Sequence, residues 1–146
     1  MTTLARHLAT IDLLRSRPFP VASGRSDVGE SGPGFHTAEL STSEGFWDDR
    51  SRMEIVAAQF EAEREALALL LSERWGEPQV FGLYSLFVRS VEDGEEIPEP
   101  WQVLGNSVPD VHLWRVDGLW VALGISKWDT ELPYQLLAVV TETDPP

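Results

Sequence analysis

The sequence predicts a single-domain α+β fold in which one long helix packs on a four-stranded antiparallel β-meander, with an extra N-terminal helix. Three patterns support this: a β-hairpin within residues 111–126, an amphipathic stretch ending near residue 75, and an apolar run over residues 134–141. A chain of 146 residues is long enough to bury one core without covalent staples. It contains no cysteine, which excludes disulfides and thiolate-based sites.

Residues 1–17 are predicted to form the N-terminal helix because apolar side chains recur every three or four positions, and Pro18 ends it. The apolar positions are Leu4, Leu8, Ile11 and Leu14. Residues 18–46 are rich in Gly, Ser and Pro, which indicates a linker or a lid containing one short strand over residues 35–40. The α+β domain itself is expected over residues 47–146.

The long helix is predicted from about residue 50 to residue 75. Ser51 and Glu54 have the spacing of a capping box, and Gly76 followed by Pro78 provides a stop. The apolar positions of this stretch fall on one stripe, so the helix is expected to lie on the sheet. They are Met53, Val56, Phe60, Leu67, Leu70 and Leu71.

Glu63 falls inside that apolar stripe. A carboxylate there needs a partner, and His112 on the core face of the hairpin is the candidate. The two side chains would form an acid–base pair in a cavity between helix and sheet, which makes them weak catalytic candidates. In the alternative, Glu63 reaches water at the margin of the stripe and His112 is structural.

The hairpin turns at Asp117-Gly118, a dipeptide typical of a type I′ turn. Counting outward from a two-residue turn gives a core face and an outer face. The core face pairs Val116 with Leu119, Trp114 with Val121 and His112 with Leu123, and the outer face pairs Arg115 with Trp120 and Leu113 with Ala122. Arg115 is expected to stack on the Trp120 indole. Because the outer face is half apolar, it should be covered by the first helix, by the Gly-rich arm or by another protein.

Two more strands are predicted over residues 79–90 and 133–142. Between residue 90 and the hairpin lies an acidic loop with Glu92, Asp93, Glu95, Glu96 and Glu99, followed by Trp101. The spacing lacks the regular ligands of an EF-hand, so a solvated loop is favoured, and neither a metal nor a cofactor is predicted. The order of a short strand, a long helix and a four-stranded meander resembles cystatin-like and related cone-shaped folds. That resemblance implies an architecture and no function.

The net charge of -13 lies almost entirely in residues 53–146, which contain seventeen Asp and Glu residues but only five Lys and Arg residues. This field repels nucleic acid and anionic lipid and attracts basic proteins, although an acidic surface also simply maintains solubility. The chain shows no signal-peptide pattern and no apolar run long enough to span a bilayer, so a cytoplasmic location is expected.

Six tryptophans are the remaining signal, because indoles often anchor interfaces. The tryptophans in or beside loops or on the outer hairpin face are Trp47, Trp101, Trp120 and Trp128. They are either binding residues, together with the acidic loop and Arg115, or lids on the edges of the core. The sequence therefore predicts a non-enzymatic, acidic protein-binding module of the immunity or adaptor kind, with a basic partner. A small-ligand or enzymatic domain with a pocket between helix and sheet is the alternative, and a homodimer through the outer hairpin face is a further hypothesis.

Overall fold

The computed structural model describes residues 2–46, 49–128 and 132–146. Within these ranges it shows an α+β fold of four helices and one seven-stranded antiparallel sheet, which confirms the predicted class. The helices are α1 (Thr3–Ser16), α2 (Met53–Trp75), α3 (Tyr84–Glu92) and α4 (Trp101–Ser107). The strands are β1 (Gly24–Arg25), β2 (Glu30–Gly32), β3 (Phe35–Thr42), β4 (Gln79–Gly82), β5 (Asp110–Val116), β6 (Leu119–Ser126) and β7 (Gln135–Thr141).

The strand order of the sheet is β1-β2-β3-β7-β6-β5-β4. The four strands of the predicted meander are β4 to β7, and three more strands extend the sheet beyond β7. These three come from the segment predicted as a linker or lid, in which only one short strand was expected. Strand β3 pairs along the whole of β7, from Phe35 with Thr141 to Thr42 with Gln135, so it satisfies backbone groups that would otherwise leave β7 at an edge.

The hairpin of β5 and β6 has the predicted register: His112 pairs with Leu123, and Val116 pairs with Leu119. Asp117 has a φ of 50° and Gly118 a φ of 81°, as a type I′ turn requires.

Helix α2 ends as predicted, because Gly76 has a φ of 87° and its N–H bonds to the Ser72 carbonyl. Its start differs from the prediction. The side chain of Arg52 at the cap position makes no capping bond, and the Ser51 N–H is instead bound by the Asp49 carboxylate at 2.9 Å. The capping box between Ser51 and Glu54 is therefore not formed.

The predicted strand over residues 79–90 is wrong beyond Gly82. Strand β4 stops there, and the chain turns into α3 through a bond from the Leu83 N–H to the Pro109 carbonyl. Leu83 and Leu86 are buried, whereas Tyr84 and Phe87 are exposed, so burial follows the period of a helix and not the period of a strand. The residues have high β-propensity, but packing onto the sheet decides their conformation.

Apolar side chains are buried on both faces of the sheet. Helices α1 and α2 cover one face, where α2 contributes Val56, Phe60, Leu67, Ala68 and Leu71. Helices α3 and α4 cover the other face, which carries the outer-face hairpin residues Leu113 and Ala122. The cover is therefore neither the first helix nor the Gly-rich arm, and the apolar area that suggested a homodimer there is buried within the chain. Among the described helices, none combines the length and the apolarity that crossing a membrane demands.

Candidate functional site

The predicted acidic loop is the segment that joins α3 to α4. The guanidinium of Arg89 on α3 donates two hydrogen bonds to the Glu95 carboxylate, of 2.6 and 2.7 Å. This guanidinium lowers the pKa of the Glu95 carboxyl, chiefly by hydrogen bonding. Glu92, Asp93 and Glu96 are exposed, so three carboxylates project into solvent at the C-terminal end of α3.

An apolar stripe on α3 lies beside those carboxylates. Tyr84, Phe87 and Val91 are 73%, 40% and 65% exposed, and the first two rings stack with centroids 6.5 Å apart. They are spaced by three and four residues, so they share one side of the helix. We call these three residues, with Glu92, Asp93 and Glu96, the α3 face.

Sequence reasoning missed the apolar half of the α3 face because it assigned Tyr84 and Phe87 to a strand that was expected to end at residue 90, before Val91. The signal was present in the spacing of Tyr84, Phe87 and Val91, which matches one side of a helix.

A second feature is a cavity of about 200 Å³ between α4 and the sheet. Two predicted binding residues line it, Glu99 before α4 and Trp128 after β6. Its other lining residues include Arg25 of β1, Glu30 of β2 and Ser107 of α4. We call it the α4 cavity. No sequence pattern indicated this cavity, because it is built from segments more than one hundred positions apart.

The charges in the α4 cavity are unevenly matched. Glu39 is held by Arg25, with Nη2 to Oε2 at 2.9 Å, and by the Gln135 side-chain amide at 3.2 Å. Glu99 accepts only a bond of 3.3 Å from the Val103 N–H among the described residues. Partial burial raises the pKa of the Glu99 carboxyl, and the negative charge of Glu30 acts in the same direction.

The other predicted binding residues serve the core or the chain end. Trp101 is fully buried, with its Nε1 donating to the Thr143 carbonyl at 3.1 Å, so it is a core residue. The Trp120 Nε1 donates to Asp144 at 2.8 Å, and Arg115 lies 4.8 Å from the centre of its ring, which is the cation–π pair that was predicted. Trp47 lies outside the described residues.

Glu63 has partners other than the one predicted. Its Oε1 accepts a bond of 2.5 Å from the Ser41 hydroxyl and lies 2.8 Å from His7 Nε2. His112 Nδ1 is buried and has no hydrogen-bond partner among the described residues. The reason is the path of α2, which places Glu63 over β3, whereas His112 lies three strands away on β5.

The His7–Ser41–Glu63 cluster does not have the arrangement of a catalytic triad. The Ser41 hydroxyl lies 3.3 Å from His7 Nε2, the same nitrogen that Glu63 contacts. In a triad the imidazole stands between the acid and the nucleophile and uses a different nitrogen for each. The cluster instead joins α1, α2 and β3.

Within the described residues, no group of three or more His, Asp or Glu side chains is arranged to hold a metal ion. No protein-family model matches the sequence, and comparison with curated proteins and with solved structures also gives no match.

Proposed function

We propose that this protein is a non-enzymatic protein-binding module that recognises a basic partner through the α3 face. The observation that carries the proposal is an exposed apolar stripe on one short helix, with exposed carboxylates at and just after the C-terminal end of that helix. An immunity protein or an adaptor that neutralises or recruits a basic protein would use such a surface.

The apolar half of the α3 face supplies the area that an interface needs. Tyr84 and Phe87 combine large aromatic surfaces with high exposure. Clustered exposed aromatic side chains mark interaction sites, because burying them against a partner releases water from apolar surface. Tyrosine also retains a hydroxyl that can bond to a partner.

The charged half of the α3 face indicates that the partner's binding surface is positively charged. Between residues 84 and 99 there are five carboxylates and one basic residue, Arg89, which is already bound to Glu95. Each arginine in the described part of residues 53–146 contacts a carboxylate, so positive charge is also neutralised elsewhere. The same charge opposes pairing of two α3 faces, which favours a basic partner over a second copy of the chain.

We expect the α3 face to bind a peptide with apolar side chains on one side and Lys or Arg on the other. The test uses synthetic amphipathic peptides of about 15–20 residues in basic, neutral and acidic versions. Fluorescence anisotropy should show the basic version binding at least about tenfold more tightly than the neutral one. Its affinity should fall steeply between about 50 and 500 mM salt.

Two matched pairs of variants locate the surface. A Y84S/F87S variant should lose binding, whereas L69S on α2, which replaces a residue that is 68% exposed, should not. An E92Q/D93N/E96Q variant should lose the salt dependence, whereas E54Q/E65Q/E73Q, which removes as many carboxylates from α2, should retain it. Equal losses in both members of a pair would reject the α3 face as the site.

The alternative is a small-ligand-binding domain, and the α4 cavity is the observation that favours it. This activity needs neither the α3 face nor a protein partner. An enzymatic version would need a base to activate the Ser107 or Thr37 hydroxyl, and no described histidine lines that cavity, so binding is the simpler role.

A further inference from the structure

We propose that the α4 cavity binds a small organic amine, whose ammonium group pairs with Glu30 and Glu99 and whose apolar body contacts Trp128. This site is separate from the α3 face and does not depend on the protein-binding function proposed above. The proposal rests on the charges of the cavity, on an unpartnered hydroxyl and on the size and composition of the walls.

The carboxylates give the ligand its charge. Glu39 is neutralised by Arg25 within the cavity wall. Glu30 and Glu99 form no ion pair with the described residues, and the two negative charges repel each other across the cavity. A cation between them would relieve that repulsion and replace the hydration that Glu99 has lost.

Ser107 provides an independent indication of a ligand. It is 8% exposed and lines the α4 cavity. Its hydroxyl makes no hydrogen bond with the described residues and is not one of the fully buried polar atoms, so it is accessible to a ligand in the cavity. An ammonium group donates three hydrogen bonds, so it can satisfy this hydroxyl and two carboxylates together.

The lining of the cavity indicates the size and the apolar character of the rest of the ligand. The apolar lining side chains include Phe35, Val103 and Leu137, and Trp128, which is 52% exposed, also lines the cavity. A volume of about 200 Å³ is below the size of typical drug pockets, so the ligand is small. An indole beside carboxylates favours an organic ammonium, because the ring attracts cations through its face.

A bare metal ion fits the α4 cavity less well. The guanidinium of Arg25 occupies one carboxylate, and the apolar walls offer no ligands. Divalent hard cations favour several carboxylate ligands, and among the described residues no three His, Asp or Glu side chains are placed to hold such an ion.

Binding should depend on pH, because the ammonium competes with a proton for Glu99. The charged groups facing Glu99 are Glu30 of β2, Arg25 of β1 and Glu39 of β3. Partial burial raises the pKa of Glu99, so protonation begins above the usual range of a carboxyl. Affinity for an amine should therefore decrease as the pH is lowered from about 8 to about 5.

The test is titration of the full chain with 2-phenylethylamine, followed by amide correlation NMR. We expect saturable shifts that include the Val103 and Ser107 amides and the Gln135 side-chain amide. The uncharged analogue 2-phenylethanol should bind at least about tenfold more weakly. If the amine causes no saturable shift up to about 10 mM, or if the alcohol binds equally well, the proposal is wrong.

Three variants separate a specific site from general attraction to an acidic protein. E99Q should weaken amine binding about tenfold, whereas E65Q on α2 removes the same charge and should leave it unchanged. S107A should weaken binding about threefold without lowering the stability of the free protein, because the hydroxyl has no partner to lose. Equal effects of E99Q and E65Q would reject the site, as would unchanged amine affinity in S107A.

Discussion

Glu95 and Glu99 lie four positions apart and have opposite electrostatic surroundings. Arg89 lowers the pKa of Glu95, so its charge stabilises the folded state above the usual carboxyl range, and that contribution is lost as the pH falls through the lowered pKa. Partial burial raises the pKa of Glu99 above its ordinary value of 4.5. The charge of Glu99 therefore opposes folding at neutral pH, and the penalty disappears as the pH falls through the raised pKa.

Amide substitutions at these two residues should shift stability in opposite directions at about pH 7. E99Q should raise the urea midpoint because it removes a partly buried charge that has no ion-pair partner among the described residues. E95Q should lower the midpoint because it removes a charge that is paired with Arg89. The E99Q difference should disappear on acidification before the E95Q difference does. Urea denaturation across the pH range measures both, and shifts of the same sign at neutral pH would contradict the assignment.

Gly124 of β6 is the glycine with the closest packing in the hairpin. A Cβ added there would lie 2.7 Å from Val108 Cγ1 and 3.1 Å from Val111 Cγ1. Because Val108 and Val111 are buried and stiff, G124A should cost about 1–3 kcal/mol of unfolding free energy. G82A is the control, since an added Cβ at Gly82 meets nothing within 4 Å. A chemical denaturation experiment in which both variants lose equal stability would show that the contact at Gly124 is not limiting.

At the scale of elements, the His7–Ser41–Glu63 cluster connects α1, α2 and β3. E63A would leave the imidazole of His7 and the hydroxyl of Ser41 without this acceptor in a partly buried place. The expected cost is about 1–3 kcal/mol of unfolding free energy. Because all three elements share the bond, amide hydrogen exchange in α1 should also become faster.

The control for this variant is E65A, which truncates an exposed carboxylate on the same helix. It should change the unfolding free energy by less than about 0.5 kcal/mol. Equal losses in E63A and E65A would show that the cluster contributes no stability beyond that of a surface residue.

The elements that sequence analysis predicted well are those fixed by local chemistry. Asp117-Gly118 determines its own turn, and the register of β5 and β6 follows from it. Helix α2 has a long periodic pattern and a glycine stop. Glu63 was singled out as a polar exception in the apolar stripe, but its partners depend on how α1 and β3 pack against α2, which local sequence does not encode.

The elements that sequence analysis missed depend on distant partners. Strands β1 and β2 are only two and three residues long, so they carry almost no periodic signal. Helix α4 contains Gly105 and follows a proline-punctuated loop, both of which favour irregular structure. Helix α3 was hidden by residues of high β-propensity, and its conformation depends on burial of Leu83 and Leu86. The α4 cavity lies among these elements, which is why only Glu99 and Trp128 were anticipated.

At the scale of the whole molecule, the acidic charge and the apolar surfaces are distributed differently. Both faces of the sheet are covered by the chain's own helices, and an exposed, stacked aromatic pair lies on α3. The negative charge is spread over α2, the α3 face and the α4 cavity. A basic partner would therefore be attracted by the whole surface and oriented by one small part of it.

The central position of β7 in the sheet also affects the risk of aggregation during folding. Residues 136–140 are apolar and buried, and such a β-prone run aggregates when its edges are free. Strand β7 lies between β3 and β6, so both edges are paired in the folded state. Both neighbours also precede it in the chain, so they are synthesised before β7. This β-prone segment is therefore made when the strands that cover its edges are already available.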